Sequence, residues 1–430
     1  MRRALVLAYF YPPLAGGGVH RVLSFTRHLP AHGWACTVVC AGERDYWVSD
    51  PSLLDAIPQG TEVLRVHGGS ALSAWLRLGG PGGTGRRSGR AFARLRALSD
   101  WWMLPDSYAG WARRARAAAL ARSRRGGIDL VLSSSPPDSV HLAALAAAGA
   151  ARLPWVADFR DPWIGLHLRR PPTRWHAARQ AAMESRVLAG ASLVIAASRT
   201  HADQLAARVH GRPRAVLHLP NGFEPAAAIA APPPAAERER FHVAFTGTLS
   251  LMDDVGTLLD AVCRVLERDA AARGTLRVDL VGPYDEDWRS AAAARGLDGV
   301  VSFAGARPHA EARERQRAAD LLLLWRPTGE RYRTMVPGKL YEYLDSGRPI
   351  VALLPEADEA AVLVARAGGI VIPQGSAEAL AGVLSERIER WRALGRAADA
   401  RPAWLAEHTR AQLAGELARA LDAIVARGPA

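Results

Sequence analysis

The sequence predicts an α/β protein made of two doubly wound, Rossmann-like domains. Its 430 residues are too many for one ordinary hydrophobic core. Short apolar runs alternate with helical patterns along the chain, as in parallel α/β sheets. Residues 225–240 have the Ala- and Pro-rich composition of a linker and divide this series in two. We expect the two domains to face each other across a cleft lined by the carboxyl ends of both sheets, where ligands of such sheets bind.

The first predicted domain, residues 1–224, opens with a strand, a glycine-rich loop and a helix. The run ALVLAYF (4–10) is apolar throughout, as expected for a strand buried on both faces of a parallel sheet. Apolar residues then recur at helical spacing as far as Leu29, and Gly33 follows as a stop signal. Further strands are predicted at 36–41, 128–135, 154–159, 191–198 and 215–223.

The second predicted domain, residues 241–405, repeats this alternation. Its strands are predicted at 241–247, 276–282, 300–305, 319–325, 349–354 and 368–373. Residues 406–430 are predicted to form a last helix that can return to the first domain. Its apolar stripe consists of Leu413, Leu417, Leu421 and Ile424.

Composition and motifs exclude several classes of protein. The net charge of +13 favours anionic partners, of which we predict nucleotides and acidic lipid surfaces rather than nucleic acid. The three cysteines have neither a disulfide pattern nor metal spacing and suit a reducing cytoplasm. The N-terminal MRRALVLAYFYPP is interpreted as a strand rather than a signal peptide, and no apolar run is long enough to span a membrane. The GxSxG, HExxH and CxxC motifs are absent, and we predict no metal site.

Lys339 is the only lysine in the chain, and the other 54 of the 55 Lys and Arg residues are arginine. It lies in VPGKLYEYLDSGRP (336–349), where Pro337 and Gly347 frame a short helix of residues 337–346. Glu342 is three residues further on, so the two side chains are neighbours near the helix N-terminus. A helix N-terminus with an ammonium group suits a phosphate, and the glutamate suits the hydroxyls of a ribose. The alternative is a surface ion pair.

Loops after other predicted strands carry further candidates. Gly16, Gly17 and Gly18 allow backbone N–H groups to approach a phosphate, although the spacing matches neither GxGxxG nor a P-loop. A bare glycine turn is the alternative. Polar groups or glycines also follow three other predicted strands, where they either touch a ligand or cap turns. They are Asp138 and His141 after 128–135, Asp158, Arg160 and Asp161 at the end of 154–159, and Gly247, Thr248, Ser250, Asp253 and Asp254 after 241–247.

The region from Arg86 to Arg125 has an unusual charge balance. It holds 11 arginines and only two acidic residues, with Trp101, Trp102 and Met103 among them. A basic surface with exposed aromatic side chains can rest on anionic lipid. The alternative is a solvated arginine face whose tryptophans lie in the core.

Taken in order, these segments resemble the GT-B glycosyltransferases, in particular the retaining family 4, over nearly the whole chain. The N-terminal resemblance is carried by YFYPPLAGGGVHRVLSFTRHLPAHGW, SSSPPDSVHL, PWVADFRDPW and LPNGFEP. The C-terminal resemblance is carried by FTGTL, LVGP, AADLLLL and PGKLYEYLDSGRPIVAL. It implies a GT-B fold and a nucleotide-sugar donor, UDP- or GDP-linked, held mainly by the C-terminal domain.

The resemblance also implies residue roles. Glu342 matches the second glutamate of the family's E-x7-E motif, which holds the donor ribose, and Lys339 then lies beside the diphosphate. The glycines of 16–18 would cover that diphosphate. Arg160 and Asp161 fall near a His-Asp pair that contacts the donor sugar in many members. The donor-binding set is completed by Gly247, Thr248, Leu340, Arg326 and Thr334.

Two departures from the family pattern bear on the donor. The first motif glutamate falls at Thr334, so the usual carboxylate grip on the sugar is missing. The family's Arg and Lys after the first C-terminal strand are replaced by SLMDDV, so Lys339 and Arg326 are expected to carry more of the phosphate charge.

The resulting prediction is a cytoplasmic glycosyltransferase, acting at the inner face of the membrane, that needs no cofactor besides its nucleotide sugar. Lys339, Glu342, Arg160 and Asp161 are its predicted catalytic residues. If the enzyme inverts configuration, it needs a base, for which Asp161 and His141 are candidates. Asp138 and His141 are the candidates for contact with the acceptor.

A lipid-linked or envelope glycan and a secondary metabolite are both open as acceptors. The alternatives are a sugar-nucleotide epimerase of the same fold and a catalytically silent nucleotide-binding or membrane-docked partner protein.

Overall fold

The computed structural model describes residues 1–14, 17–42, 49–68, 101–165, 171–209, 215–225, 239–249, 255–327, 329, 332–397 and 400–427. The chain divides into two units. Unit 1 comprises Met1–Gly222 and Glu407–Ala430, and unit 2 comprises Phe223–Ala406. Most of the predicted linker, residues 226–238, lies outside the described residues.

Unit 1 contains a seven-stranded sheet with the strand order β3-β2-β1-β4-β5-β6-β7, and every pairing is parallel. The strands are β1 (Arg2–Ala8), β2 (Trp34–Ala41), β3 (Glu62–Val66), β4 (Leu130–Ser135), β5 (Trp155–Phe159), β6 (Leu193–Ala196) and β7 (Val216–His218). The α-helices are α1 (Val19–His28), α2 (Ala109–Arg124), α3 (Ser139–Ala151), α4 (Arg174–Gly190) and α5 (Arg199–Arg208), and short 3-10 helices occupy Leu29–His32 and Pro51–Ala56.

Unit 2 contains a six-stranded parallel sheet with the order β10-β9-β8-β11-β12-β13. The strands are β8 (Phe241–Thr246), β9 (Leu276–Val281), β10 (Val301–Gly305), β11 (Leu321–Trp325), β12 (Ile350–Leu353) and β13 (Ile370–Ile372). The helices are α6 (Val255–Arg268), α7 (Ala272–Thr275), α8 (Glu286–Ala294), α9 (His309–Ala318), α10 (Lys339–Ser346), α11 (Glu359–Arg366) and α12 (Ala377–Leu394), followed by a 3-10 helix at Ala403–His408. The last helix of the chain is α13 (Arg410–Arg427).

Both sheets are buried on both faces, as the continuous apolar runs predict. Successive strand side chains point to opposite faces. In β1, Leu5 belongs to one apolar cluster and Val6 to another. In β8, Phe245 and Ala244 are divided between two clusters in the same way. Each unit is therefore a doubly wound sheet, and the predicted two-domain α/β fold is confirmed.

Helix α13 belongs to unit 1, as predicted, and packs against α1. Its predicted stripe is buried there, and Leu417 shares a cluster with Phe25 of α1. The predicted last helix was placed four residues too early, because residues 403–408 form a separate 3-10 helix.

Strand β3 was not predicted from the sequence. It lies at the edge of its sheet, and all five of its residues are only half-buried. An edge strand of this kind lacks the long apolar run that identifies the central strands.

Candidate active site

Helix α10 begins at Lys339, directly after Pro337 and Gly338, and ends at Ser346, with Gly347 as its C-cap residue. Its N-cap residue, Gly338, has no side chain to bond the first backbone N–H groups. Gly347 has φ +71°, a left-handed conformation that stops the helix. The sequence predicted this helix at 337–346. The predicted end is correct, and the helix in the structure starts two residues after the predicted start.

The Lys339 side chain folds back onto the carboxyl end of β8. Its ammonium group donates a hydrogen bond to the Thr246 carbonyl oxygen (2.9 Å) and lies 3.7 Å from the centroid of the Phe245 ring. Gly247 adjoins the same group, since a Cβ placed there would lie 2.5 Å from Nζ. Gly247 also has φ +143°, a conformation that residues with a side chain rarely adopt. A glycine at 247 therefore makes room for the lysine.

The Lys339 ammonium group lies in an environment that disfavours its positive charge. The residue as a whole is half-buried. Burial lowers the pKa of Lys339 to about 7, and Glu342 partly opposes this shift. No carboxylate in the described part of the chain lies within ion-pair distance of its Nζ. A phosphate at this position would supply the missing counter-charge.

Glu342 lies one turn further along α10 and is held by two side chains of α9. Its Oε1 accepts a hydrogen bond from His309 Nε2 (2.8 Å), and its Oε2 lies 3.4 Å from Gln316 Nε2. Gln316 also donates to Thr246 Oγ1 (2.9 Å). Helix α9 therefore connects Glu342 with the end of β8.

Tyr343 gives α10 a second attachment to β8. Its hydroxyl oxygen accepts a hydrogen bond from the Thr246 backbone N–H (2.8 Å), and burial raises the pKa of Tyr343 to about 12. Lys339 and Tyr343 are four residues apart and thus on one face of the helix. The group formed by Thr246, Gly247, His309, Gln316, Lys339, Glu342 and Tyr343 is called the Lys339 cluster below.

The remaining candidates of unit 2 are not all available to a ligand through their side chains. Thr248 is exposed, whereas Leu340 is fully buried in the core and Thr334 is buried. Arg326 is buried and forms an ion pair with Asp358, the N-cap residue of α11. Its role in phosphate binding stays a prediction. Ser250, Asp253 and Asp254 lie outside the described residues.

In unit 1, the glycine loop and the 160–161 segment lie against each other. A Cβ at Gly18 would lie 2.4 Å from Arg160 Nη1, so the guanidinium group covers this glycine. Arg160 Nη2 also donates to Asp161 Oδ2 (2.7 Å). Gly17, in contrast, faces open space. Gly16 lies outside the described residues.

A buried ion pair below this loop was missed by the sequence reasoning. Arg21 of α1 bonds both carboxylate oxygens of Asp158, the shortest contact being Nη2–Oδ1 at 2.7 Å. Ser134 Oγ also donates to Asp158 Oδ2 (2.7 Å). The signal in the sequence was Arg21 itself, a charged residue among the apolar residues Val19, Val22 and Phe25 of the predicted helix. The pair fixes α1, and with it the glycine loop, to the end of β5.

Asp138 and His141 are buried in unit 1. His141 is 0% exposed, its Nδ1 lies 2.8 Å from Ser133 Oγ, and burial lowers its pKa to about 3. Asp138 is 1% exposed and is the N-cap residue of α3. This burial favours a structural role for both residues over contact with an acceptor.

Two further features concern metals and membranes. Within the described residues, no group of three or more His, Cys, Asp and Glu side chains is arranged to hold a metal ion. None of the helices described here combines the length and the apolar character needed to cross a bilayer.

Both halves of the chain match family models of sugar-transferring enzymes. A model described as "Glycosyl transferase 4-like domain" matches residues 16–222, and one described as "Glycosyl transferases group 1" matches residues 240–390. A search of curated proteins gives no significant match.

Several solved structures share the fold. Anabaena HepE in complex with UDP-glucose is 16% identical with a TM-score of 0.56, covering 99% of this chain and 97% of HepE. WaaG, a glycosyltransferase involved in lipopolysaccharide biosynthesis, is 17% identical with a TM-score of 0.60, covering 98% of this chain and 99% of WaaG. The N-terminal domain of the Candida albicans trehalose-6-phosphate phosphatase is 12% identical with a TM-score of 0.63, covering 99% and 97%. At these identities the likeness shows the fold alone.

The family models cover both halves of the chain in order, and the two sheets and the neighbouring structures have the GT-B architecture. The chain therefore belongs to the GT-B glycosyltransferases of the family 4 type and is a sugar-transferring enzyme.

Proposed function

We propose that this enzyme moves a sugar from a UDP- or GDP-linked donor to an acceptor hydroxyl, with retention of configuration and without a bound metal. The observation that carries the proposal is the position of Lys339 and Glu342 one turn apart on α10. The ammonium group lies at the end of β8 and has no carboxylate within ion-pair distance in the described part of the chain. The lysine and the uncapped helix N-terminus suit a diphosphate. The glutamate, one turn away, suits the two hydroxyls of the ribose.

The chemistry follows from where charge develops. When the bond between the sugar C1 and the phosphate oxygen breaks, negative charge grows on the leaving diphosphate. A cation already in place stabilises that charge more in the transition state than in the ground state. In the retaining reaction the acceptor oxygen bonds C1 on the face from which the diphosphate leaves, and the diphosphate oxygen takes the acceptor's proton. This route needs no protein base, which agrees with the burial of His141.

A thermal-shift screen across UDP-, GDP-, ADP- and dTDP-linked sugars identifies the donor. We expect the nucleotide sugars of one base to raise the melting temperature. The free nucleoside diphosphate of that base should produce most of the same increase, and Lys339→Ala should reduce it. Since activity without a metal is part of the proposal, turnover is measured with and without a chelator. A loss of turnover on chelation that magnesium restores would contradict that part.

Two alternatives predicted from the sequence are an epimerase of the same fold and a catalytically silent nucleotide-binding partner protein. Release of free nucleoside diphosphate separates the possibilities. A transferase releases it only when acceptor is present, an epimerase needs no acceptor, and a silent partner releases none.

We further propose that the enzyme acts at an anionic membrane surface, which an exposed aromatic surface on unit 1 supports. Trp101, Trp102 and Trp175 are 53%, 87% and 60% exposed. The Trp101 and Trp175 rings both contact the ring of His176, at centroid distances of 5.4 Å and 4.9 Å. The Arg179 guanidinium lies over Trp175, 5.9 Å from its ring centroid. Exposed tryptophans beside arginines suit the interface of an anionic bilayer.

The predicted Arg86–Arg125 region is described only from residue 101 onward. Its exposed arginines on α2 are Arg113, Arg114, Arg116 and Arg124. Together with the free, buried Cys36 and Cys40, which suit a reducing compartment, they support an enzyme at the cytoplasmic face of a membrane. A lipid-linked or envelope glycan is the acceptor class that fits this position.

Vesicle co-sedimentation tests the membrane contact, using phosphatidylcholine alone and phosphatidylcholine with about one third phosphatidylglycerol. We expect binding to the anionic vesicles only, loss of binding in Trp102→Ser/Trp175→Ser, and no loss in Leu394→Ser, which changes another exposed apolar residue. Equal binding of both variants contradicts the proposal. A smaller oligomer in the double variant, with unchanged vesicle binding, assigns the surface to protein association instead.

A further inference from the structure

His309 is a residue of the Lys339 cluster that neither the family resemblance nor the proposed chemistry uses. It is the first residue of α9 and follows β10 through the short loop 306–308. Its ring is directed at Glu342, and Nε2 donates to Oε1 across 2.8 Å. The two side chains differ in exposure, at 39% for His309 and 12% for Glu342. The histidine thus covers a carboxylate that is otherwise largely enclosed.

Helix α9 contacts both oxygens of that carboxylate. His309 and Gln316 are seven residues apart, which places them on one face of the helix, two turns from each other. His309 reaches Oε1, while Gln316 lies at a longer distance from Oε2 and is itself bonded to Thr246. Both contacts restrain the Glu342 carboxylate, and the contact with His309 is the shorter of the two.

Restraint of this carboxylate matters for a diol. Two neighbouring ribose hydroxyls can both donate to one carboxylate only when its plane has the right orientation, and fixing that plane in advance removes an entropic penalty from binding. Each carboxylate oxygen has two lone pairs, so a bond from His309 does not by itself exclude a second bond from a ribose hydroxyl. His309 and a ribose can therefore bind Glu342 together.

We propose that His309 is a positioning residue, which orients Glu342 for the ribose diol of the donor nucleotide. This inference rests on the proposed function, because it assumes that Glu342 binds the ribose. It assigns a role to a residue outside α10, and it predicts that nucleotide recognition depends on the α9 N-terminus as well as on the α10 helix.

The test compares a nucleoside diphosphate with its 2′-deoxy counterpart by titration calorimetry, using the base found in the thermal-shift screen. For His309→Ala we expect affinity for the ribonucleotide to fall by about tenfold, while affinity for the deoxynucleotide changes much less. His309→Gln is expected to restore much of the loss, because a glutamine amide N–H can replace the imidazole Nε2–H. Arg307→Ala, an exposed change in the same loop, is the matched control and should leave both affinities unchanged.

Three results would overturn the inference. Equal losses for the ribo and deoxy ligands would show that His309 acts elsewhere. Unchanged affinity in His309→Ala would show that it has no role in binding. Tighter binding would show that His309 competes with the ribose for Glu342.

Glu342→Gln separates failure of this inference from failure of the proposed function. If Glu342→Gln abolishes the preference for ribose and His309→Ala does not, only the role of His309 is wrong. If neither ligand's affinity depends on Glu342, the ribose contact of the proposed function is wrong as well, and the role of His309 falls with it. Melting temperatures of all variants are measured in parallel to confirm folding.

Discussion

The sheets of the two units share the order of six strands, but Arg21 of unit 1 and Lys339 of unit 2 have different partners. Strands β3-β2-β1-β4-β5-β6 in unit 1 and β10-β9-β8-β11-β12-β13 in unit 2 follow one another in the same order. In unit 1, Arg21 and Arg160 are each paired with an aspartate. In unit 2, the Lys339 ammonium group is bonded to a backbone carbonyl oxygen.

This difference separates the two kinds of work that a cation can do. A guanidinium paired with a buried carboxylate holds two chain segments together, since removing either partner leaves an unpaired buried charge. An ammonium group without a carboxylate partner can pair with a charged ligand instead. In the absence of that ligand, burial lowers its pKa. The Arg21–Asp158 pair thus stabilises unit 1, whereas the Lys339 ammonium group of unit 2 is expected to bind the donor.

The largest effect is expected from breaking the buried pair of unit 1. Asp158→Ala leaves Arg21 buried without its partner, so the free energy of unfolding should fall by about 3–5 kcal/mol. Urea denaturation of the purified protein measures it. If the loss is no larger than that in Asp203→Ala, which removes an exposed carboxylate of α5, the Arg21–Asp158 pair does not stabilise the fold.

Lys339→Met should have the opposite profile. We expect turnover to fall by about 100- to 1,000-fold, with a melting temperature at least as high as that of the wild type, because an enclosed ammonium group is replaced by an apolar one of similar length. Steady-state kinetics and differential scanning calorimetry provide the two readouts. Unchanged turnover, or a large loss of stability, would assign the lysine to structure and remove the contrast between the units.

Two glycines allow the units to be compared by the same substitution. Gly247→Ala strains a residue at φ +143° and brings a methyl group within 2.5 Å of Lys339 Nζ. Gly18→Ala displaces Arg160 instead, and Gly17→Ala meets open space. We expect donor KM to rise by about tenfold or more for Gly247→Ala, less for Gly18→Ala, and hardly for Gly17→Ala. A reversed order would place the dominant donor contact in unit 1.

The smallest expected effect is a dependence on pH. Because the pKa of free Lys339 is about 7 and a bound diphosphate favours the charged form, nucleoside diphosphate affinity should decline as pH rises above that value. The unfolded chain, with the ordinary lysine pKa of 10.5, binds more protons between these two values, so this residue makes stability rise with pH over that window. Titrations of wild type and Lys339→Met check both signs. Parallel pH profiles for the two proteins would contradict the account.

The sequence predicted the fold and the centre of the candidate site because those depend on local patterns. Apolar runs mark the central strands, and Lys339 is identified by being the only lysine of the chain. The partners of these residues depend on tertiary contacts between distant segments. Arg21 and Asp158 are 137 positions apart, and His309 and Glu342 are 33 apart. No local pattern announces such pairs, and likewise no pattern distinguished buried His141 from a histidine at the surface.

The most direct test of the central claim uses the uniqueness of Lys339. An amine-selective reagent such as formaldehyde with a borane can label only this side chain and the Met1 amino group, and peptide mass spectrometry quantifies both. If Lys339 binds the diphosphate, a saturating nucleoside diphosphate should protect Lys339 from labelling while labelling of Met1 is unchanged. Equal labelling of Lys339 with and without saturating ligand would contradict the account.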